Sequence, residues 1–397
     1  MKILIAHNAY QQTGGEDMVA GAETELLRRH GHQVELYERH NRDLASMSMP
    51  AAAMSCVWSH QSNAEIARVC DTFQPDVIHA HNTFPLISPS LYWLASRKRI
   101  PVVQTLHNFR LLCPQAMFLR EEKVCEDCLG KLPWRAVTRK CYRGSALQSA
   151  VAVTMLAGHR AIGTYREQVT AYIAVSNFCR EKFISGGLPA ERIHIKPNFV
   201  ESRKIPDWNR RRGGIFIGRL SAEKGLDLLM AALRRLQLVS NHSGDLPSLR
   251  IVGAGPLEPA VRAAFTENYL GYRPPDEVFD LLGSSQFLVA PSTCYETFGL
   301  VAVEAFACGV PVIASRHGGI GELVDDGVTG LLFTPGDAND LAAKIAWAHT
   351  HPQQMLEMGR AAYSEYLAKY TPEQNYRMLM GIYQKAIPVP LGEYHAA

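Results

Sequence analysis

Two glutamates, Glu296 and Glu304, lie eight residues apart and could bind hydroxyl groups of a ligand. The apolar run Gln286–Pro291 before them predicts a buried strand that ends at its proline. Phe298–Cys308 predicts an apolar helix, and Pro311–Ser315 predicts a second buried strand. Eight residues is a little over two helical turns, so both carboxylates could face one crevice at the carboxyl end of a strand. In open α/β sheets, ligands bind in that crevice.

Two cations, Arg219 and Lys224, come between a predicted strand, Gly214–Gly218, and a predicted helix that runs from Leu226 to about Leu236. The start of a helix attracts phosphate through its unpaired amides and its macrodipole. Two basic side chains at that point would hold a diphosphate and stabilise the negative charge that grows on it as it leaves.

Glycine pairs follow two of the predicted strands, at Gly14 and Gly15 and at Gly318 and Gly319. Glycine lets the backbone approach a ligand closely and adopt positive φ, so both pairs are candidates for contact with phosphate or sugar. A further glycine, Gly253, begins a Gly-Ala-Gly-Pro turn that lacks the third glycine of the dinucleotide fingerprint.

His107 directly follows the predicted strand Val102–Leu106. A histidine at the carboxyl end of a strand in an α/β unit is a candidate for an active site, although it could also serve only as a hydrogen-bonded strand end. His79 and His81 end another predicted strand, Val77–Ala80, and we expect them to be structural or to line the acceptor side.

The elements that must position these residues alternate between strand and helix, which indicates parallel sheets. A chain of 397 residues is long enough for two domains with a core each. The first unit has further predicted strands at Lys2–His7, Gln33–Tyr37, Tyr172–Ser176 and Ile193–Ile195, and helices at Val19–His30 and from about Leu147 to Gln168. A polar linker follows from Glu201 to Arg212, the second unit adds a strand at Leu249–Val252, and the tail is helical to about Ala386.

These motifs together resemble the retaining glycosyltransferases of family 4, which have the GT-B fold. The resemblance rests on the Glu-seven-Glu segment with its flanking Pro-Ser and Cys-Gly-Val-Pro-Val, and on the Arg-four-Lys turn. It implies an α/β protein of two Rossmann-like parallel-sheet domains that face a cleft. The implied boundaries are an acceptor-side domain at 1–198 with a Cys-rich insertion at 112–142, a nucleotide-sugar-binding domain at 199–371, and a C-terminal helix at 372–397 that returns to the first domain.

The resemblance also implies a role for each candidate. Arg219 and Lys224 would hold the donor diphosphate, Glu304 the ribose hydroxyls and Glu296 the donor-sugar hydroxyls, while His107 would line the reacting centre. Further donor-binding residues by the same resemblance are Gly14, Gly15, Gly318, Gly319, Gly253 and Arg273, the last in a segment whose backbone meets the nucleobase.

The implied reaction is retaining transfer of a sugar from a nucleotide-sugar donor to a glycan or lipid-linked acceptor, in polysaccharide or glycolipid assembly. No metal or cofactor is expected for this transfer. A nucleotide-sugar epimerase or sugar-phosphate synthase on the same fold is one alternative. A non-catalytic interaction protein that keeps the fold is another, but the intact glutamates and cations argue against it.

Four of the nine cysteines, Cys113, Cys125, Cys128 and Cys141, cluster in the insertion. Four thiolates with one Cys-x-x-Cys pair match tetrahedral zinc, and a reducing compartment favours metal over disulfides. We therefore predict a structural zinc site. A redox dithiol at Cys125 and Cys128, or an iron–sulfur cluster, is an alternative interpretation.

The composition and net charge of the chain limit the classes of binding partner that we expect. A net charge of +3 gives no reason to expect nucleic acid as a partner. The N-terminal apolar run is too short for a signal peptide and no run is long enough to span a bilayer, so a cytoplasmic location is expected. The basic and aromatic stretch Trp134–Arg143, with Lys131 before it, could contact anionic headgroups or a diphospho-lipid acceptor at the inner face of the membrane, or be a solvated surface.

Overall fold

The structure is a computed structural model that describes residues 1–12, 14–202, 205–209, 211–239 and 248–387. The strands are β1 Lys2–Ala9, β2 Gln33–His40, β3 Val77–Asn82, β4 Val102–Leu106, β5 Leu119–Arg120, β6 Lys123–Val124, β7 Ala171–Ala174, β8 Ile193–Ile195, β9 Gly214–Ile217, β10 Leu249–Val252, β11 Tyr269–Gly271, β12 Phe287–Ala290, β13 Val312–Ser315 and β14 Gly330–Phe333. The helices are α1 Gly15–Arg29, α2 Met49–Val57, α3 His60–Phe73, α4 Ser90–Arg97, α5 Arg135–Thr138, α6 Ala146–Ala161, α7 Thr164–Glu167, α8 Asn177–Ser185, α9 Leu226–Val239, α10 Glu258–Phe265, α11 Pro275–Gly283, α12 Leu300–Ala307, α13 Gly318–Leu323, α14 Ala338–Thr350, α15 Pro352–Lys369 and α16 Pro372–Ala386.

The first sheet has the strand order β2-β1-β3-β4-β7-β8, and all of its pairings are parallel. The inner strands β1, β3 and β4 are buried almost throughout, as expected when helices cover both faces of a parallel sheet. Helix α16 covers part of this sheet, where Leu379, Ile382 and Tyr383 join a core with Ile5 and Val103.

The second sheet repeats the architecture with the order β11-β10-β9-β12-β13-β14, again all parallel. Phe287 and Val289 on β12 form a core with Leu229 on α9 and with Leu341 and Ile345 on α14. The prediction of two Rossmann-like parallel-sheet domains is therefore confirmed.

The chain divides into two compact units. The first unit contains residues 1–116, 126–196 and those from Asn375 on, and the second contains 117–125 and 197–374. The short hairpin of β5 and β6, whose two strands pair antiparallel, thus belongs to the second unit although it lies early in the chain. Within that unit the ring of Phe118 meets the ring of Tyr295 edge to face, with centroids 6.4 Å apart.

Element positions agree with the sequence predictions at most strands, and the differences concern helix limits. Helix α1 begins at Gly15 rather than at Val19. The helix predicted from Leu147 to Gln168 is two helices, because Gly163 between them has a φ of 75°. Part of the predicted linker (203, 204 and 210) and the tail from 388 to 397 lie outside the described residues. Across the described part, no helix is long and apolar enough to cross a bilayer.

Candidate active site

Lys224 and Glu296 form an ion pair at the carboxyl ends of two neighbouring strands of the second sheet. Lys224 ends a 3-10 turn that follows β9 and precedes α9, and Glu296 lies in the loop after β12. The Nζ of Lys224 is 2.7 Å from Oε1 of Glu296, and the hydroxyl of Ser292 donates to the same oxygen. Two of the sequence candidates are thus brought together.

The pair keeps both of its members charged. Burial alone would raise the pKa of Glu296, but Lys224 and the Ser292 hydrogen bond lower that pKa below its usual value. Burial alone would lower the pKa of Lys224, but Glu296 raises it. A cation at the start of a helix and an anion beside it suit a ligand that carries both phosphate and hydroxyl groups.

The second glycine pair packs directly against Glu296. The amide of Gly319 donates to the carbonyl of Glu296 at 2.6 Å. Gly318 has a φ of +68°, and a Cβ there would lie 2.9 Å from the Glu296 nitrogen, so only glycine fits. His317 adds a ring-nitrogen contact of 2.9 Å to the carbonyl of Ser292. This loop therefore fixes the backbone that presents Glu296.

Glu304 lies in α12 and its side chain is half-buried. Burial raises its pKa to about 7. Within the described part of the chain, the carboxyl group has no hydrogen-bonding or ionic partner. The helical argument for its spacing from Glu296 was wrong, because Glu296 precedes α12, which begins at Leu300. The half-buried, unpartnered carboxyl is suited to accept hydrogen bonds from a ligand.

Arg219 lies in the loop after β9 with an exposed side chain. Its guanidinium has no partner among the described residues. The same loop packs tightly against the loop after β10, since a Cβ on Gly253 would lie 1.9 Å from the carbonyl oxygen of Gly218. Gly253 thus lets two strand-end loops approach each other.

The side chain of Arg273 already bonds to nearby residues of its own unit. Its Nε donates to the carbonyl of Leu270 at 2.9 Å, and its guanidinium pairs with Glu277 at 3.2 Å. The side chain therefore supports the turn after β11, and any contact with a base would come from the backbone.

In the first unit, His107 directly follows β4 and its Nε2 lies 2.9 Å from Nδ1 of His81. The next residue, Asn108, donates to Glu16 at 3.1 Å, and Tyr10 donates to the same glutamate at 3.0 Å. These bonds join the strand end at His107 to the loop of the first glycine pair.

That loop differs in detail from the prediction. Gly14 has a φ of −111° and Gly15 is the first residue of α1, so neither glycine adopts a positive φ, and their contact with a ligand stays a prediction. Asp17 instead holds the loop, since it accepts from the amides of Gly14 at 2.7 Å and Tyr10 at 3.2 Å and contacts His7 at 2.8 Å. Burial would raise the pKa of Asp17, but these bonds lower it.

Sequence inspection assigned no role to Glu16 or Asp17. Burial raises the pKa of Glu16 to about 7, although its hydrogen bonds act in the opposite direction, and its Oε1 has no partner in the described part. The signal available in the sequence was the Gly-Gly-Glu-Asp run itself, which places two carboxylates at the start of a helix.

The four insertion cysteines divide between the units, with Cys125 in the second and the others in the first. In the described part of the first unit, the sulfur atoms of Cys113, Cys128 and Cys141 are not all within 4.8 Å of one another. Arg160 of α6 donates to the main-chain carbonyls of Leu111, just before the insertion, and of Lys131, within it. The zinc site stays a prediction.

Two parallel-sheet units with strand-end loops of this kind define the GT-B class of protein. Two family models match successive parts of the chain: Glycosyltransferase Family 4 over residues 13–204 and Glycosyl transferases group 1 over residues 211–351. The chain belongs to this family of glycosyltransferases.

Among the curated relatives, sulfoquinovosyl transferase SQD2 of Arabidopsis thaliana is 28% identical over 82% of this chain and 60% of its own length. The amylovoran biosynthesis glycosyltransferase AmsK of Erwinia amylovora is 26% identical over 54% of this chain and 56% of its own. The matches therefore span about 60% or less of those proteins.

Solved structures share the fold over nearly the full chain. Anabaena Alr3699/HepE, in complex with UDP-glucose, has a TM-score of 0.66 at 20% identity and covers 97% of this chain and 100% of its own. Sucrose-phosphate synthase of Thermosynechococcus elongatus has a TM-score of 0.69 at 18% identity, over 97% and 98%.

Proposed function

We propose that this protein is a retaining glycosyltransferase that moves a sugar from a nucleotide-sugar donor to a glycan or lipid-linked acceptor. The Lys224–Glu296 pair carries the proposal, because it places a cation and a carboxylate 2.7 Å apart at adjacent strand ends. The family supplies the reaction class. The relative named for amylovoran biosynthesis and the neighbour solved with UDP-glucose support the proposed process and donor class.

The second unit would bind the donor. Lys224 would exchange its contact with Glu296 for the departing phosphate, and Arg219 would provide a second cation. Fixed cations at this point favour the transition state, in which negative charge develops on the leaving diphosphate. Glu296, released from Lys224, would accept hydrogen bonds from hydroxyls of the donor sugar.

Glu304 would hold the ribose. A carboxylate that accepts two hydroxyl hydrogen bonds contributes about 1.5–3 kcal/mol for each charged contact, and Glu304 has no partner to give up within the described residues. His107 of the first unit would line the reacting centre. The leaving phosphate would take the proton of the acceptor hydroxyl on the same face, which retains the anomeric configuration and requires neither a metal nor a dedicated base.

Structural zinc in the insertion is a separate proposal. The four cysteines would supply the ligands, and zinc would order the loop rather than take part in the transfer. Arg160 supports it in one respect, because its cation lies close enough to Cys113 and Cys128 to interact electrostatically with both.

A surface of the first unit is proposed to contact anionic lipid. Leu132 and Trp134 are 68% and 56% exposed there, with exposed Arg135 and Lys140 beside them. Exposed apolar side chains next to cations suit the interface of a bilayer. A lipid-linked acceptor would then be reached from the membrane surface.

The test is release of nucleoside diphosphate from a panel of nucleotide sugars, with and without acceptor. A transferase forms a glycosylated product whose anomeric carbon keeps the donor configuration, as NMR spectroscopy can determine. An epimerase would convert the donor without an acceptor, and an interaction protein would release nothing. A thermal-shift screen identifies the donor first, since a ligand that binds only the folded state raises the melting temperature.

A further inference from the structure

A short hairpin within the insertion packs into the second unit, close to the loop that carries Glu296. Its strands β5 and β6 pair antiparallel, and the amide of Cys125 donates to the carbonyl of Phe118 at 2.7 Å beyond the last strand pair. Phe118, at the start of the hairpin, is fully buried. The insertion thus contributes a buried aromatic ring to the unit that contains the candidate donor site.

The local sequence does not favour this hairpin. The chain reverses at Glu121 and Glu122, whose φ values of 51° and 60° are both positive, as in a type I′ turn. Phe118 itself has a φ of 49°. Glycine and asparagine adopt this left-handed conformation readily, whereas other residues keep it where the surrounding packing requires it. The packing of Phe118, rather than the turn, therefore holds the hairpin in place.

Phe118 is the first member of an aromatic row that also contains Tyr295 and His317. The rings of Phe118 and Tyr295 meet edge to face, with centroids 6.4 Å apart. The rings of Tyr295 and His317 meet in the same way at 5.7 Å. Aromatic pairs prefer this geometry, so each ring restrains the orientation of the next. Tyr295 is held between the hairpin on one side and the loop after β13 on the other.

The aromatic row reaches the loop of Glu296 at two places. Tyr295 directly precedes Glu296 in the chain. A ring nitrogen of His317 contacts the carbonyl of Ser292 at 2.9 Å, and the hydroxyl of Ser292 donates to Oε1 of Glu296. A displaced Tyr295 ring would therefore move the Glu296 carboxylate from its position 2.7 Å from Nζ of Lys224.

We propose that Phe118 is a positioning residue for Glu296: its ring, packed on Tyr295, holds residues 292–296 in the conformation that presents the Glu296 carboxylate to the donor sugar. Phe118 itself touches no substrate. The structural part depends only on the aromatic row and the loop. The part that concerns the sugar rests on the proposed glycosyltransferase function.

The ring protons of His317 provide a measurement without reference to catalysis, because the ring current of Tyr295 displaces their NMR shifts. Spectra are recorded on the full chain labelled with ¹³C-histidine, and the signals of His317 are assigned by their loss in His317→Asn. Phe118→Leu removes the first ring and leaves an apolar side chain, so we expect Tyr295 to reorient and the His317 signals to shift. Unchanged signals in the folded variant overturn the proposal. Phe118→Met, whose flexible side chain fills irregular cavities, is the second variant and should give the same result.

Phe265→Leu is the matched control. Phe265 is 8% exposed and packs in the core of the same unit at the end of α10. The substitution removes a buried ring of the same kind but none from the aromatic row, so the His317 signals and kcat should stay as in the wild type. A change equal to that of Phe118→Leu would mean that general loss of packing acts on the loop, and it would overturn the proposal.

Turnover provides the functional measurement. With a donor found by thermal shift, kcat of Phe118→Leu should fall by about tenfold to a hundredfold, because a small displacement of a group at the reacting centre has effects of this size. The dissociation constant of the donor should stay within about threefold, since the proposed contacts to diphosphate and ribose come from other residues. A loss of affinity as large as the loss of kcat would refute the specific effect on Glu296.

Tyr295→Leu completes the test, because Tyr295 is only half-buried and its substitution is better tolerated. Its kcat should fall as in Phe118→Leu, and the double variant should lose little more, since both changes break the same contact. Wild-type kcat in Tyr295→Leu overturns the proposal whether or not a Phe118 variant folds. If the wild type transfers no sugar from any donor, the proposed function fails, whereas the His317 signals still decide whether Phe118 positions the loop.

Discussion

The Nζ of Lys224 lies 2.7 Å from Oε1 of Glu296, although 72 residues separate them in the chain. Each keeps the other charged against the effect of burial. In the free protein, Glu296 contacts Lys224 where the phosphate of the donor is proposed to bind. Lys224 likewise contacts Glu296 where a hydroxyl of the donor sugar is proposed to bind. On the proposed function, donor binding would separate the pair, and the two residues should be energetically coupled.

Lys224→Ala should lower turnover by about two to three powers of ten, as the loss of a group that stabilises a developing anion does. Arg219→Ala should have an effect of the same order if its guanidinium also contacts the diphosphate. Release of nucleoside diphosphate by the folded variants measures both. Arg262→Ala is the control, because Arg262 is exposed on α10 and pairs with Glu258, and its turnover should match the wild type.

A double-mutant cycle with Lys224→Ala and Glu296→Gln extends this test. The two losses should not add, since removal of either residue already breaks the pair. Additive losses would mean that the two residues act independently, and a loss below tenfold for both cations would refute the leaving-group role.

Glu304→Gln should weaken donor binding and stabilise the free protein at the same time. The ribose contact is the same in ground and transition states, so the dissociation constant should rise by about ten- to a hundredfold while kcat changes less. Isothermal titration with the donor measures the first effect. An unchanged dissociation constant would refute the ribose assignment.

The stability effect follows from the pKa of Glu304, which is raised from 4.5 to about 7 by burial. A carboxyl whose pKa is raised on folding contributes stability that is present below pH 4.5 and lost as pH rises through 7. At pH 8, Glu304→Gln should therefore raise the free energy of unfolding by on the order of 2 kcal/mol. At pH 4 the variant and the wild type should be equal. Glu267 is an exposed glutamate of the same unit. Glu267→Gln should therefore leave the free energy of unfolding unchanged at both pH values.

Much of the fold could be predicted because the inner strands are buried on both faces and appear as apolar runs. The strands Val102–Leu106, Ile193–Ile195 and Leu249–Val252 have the predicted limits. Helix limits were less predictable, since Gly15 begins α1 and Gly163 interrupts a long apolar pattern by its backbone conformation alone.

The site was predicted in part, because motifs identify residue types but not long-range pairs. Spacing did not show that Lys224 meets Glu296 or that Asn108 meets Glu16, since both contacts depend on strand order. The Lys196–Glu23 pair was not predicted at all. Lysine and glutamate are usually surface residues, and these two are 173 residues apart in the chain. Only the fold shows that they are buried in contact with each other.

Cys125→Ser tests the zinc proposal. Protein purified without added metal should carry about one zinc per chain by elemental analysis, and the variant should lose it. Donor affinity should persist in the variant if the metal orders only the insertion. Cys70→Ser is the control, because Cys70 is buried in α3, away from the insertion in sequence, and its substitution should leave the metal content unchanged. Wild-type protein without zinc or iron would refute the metal site.

The basic surface of the first unit provides the last test. Each basic residue near an anionic membrane contributes about 1 kcal/mol, and salt screens the attraction. Arg139 already pairs with Asp127, so the charges to remove are Arg135, Lys140 and Arg143. The triple substitution to Gln should abolish co-sedimentation with anionic vesicles, and high salt should do the same to the wild type.

The control removes an equal number of exposed charges from the second unit, at Arg212, Arg234 and Arg235. This variant should sediment with anionic vesicles as the wild type does, because net charge alone does not specify a docking face. Trp134→Ala should weaken sedimentation with anionic vesicles at low salt, since the exposed indole contributes apolar contact with the bilayer. Equal, negligible sedimentation of the wild type with anionic and neutral vesicles would contradict the membrane proposal and indicate an acceptor that is free in solution.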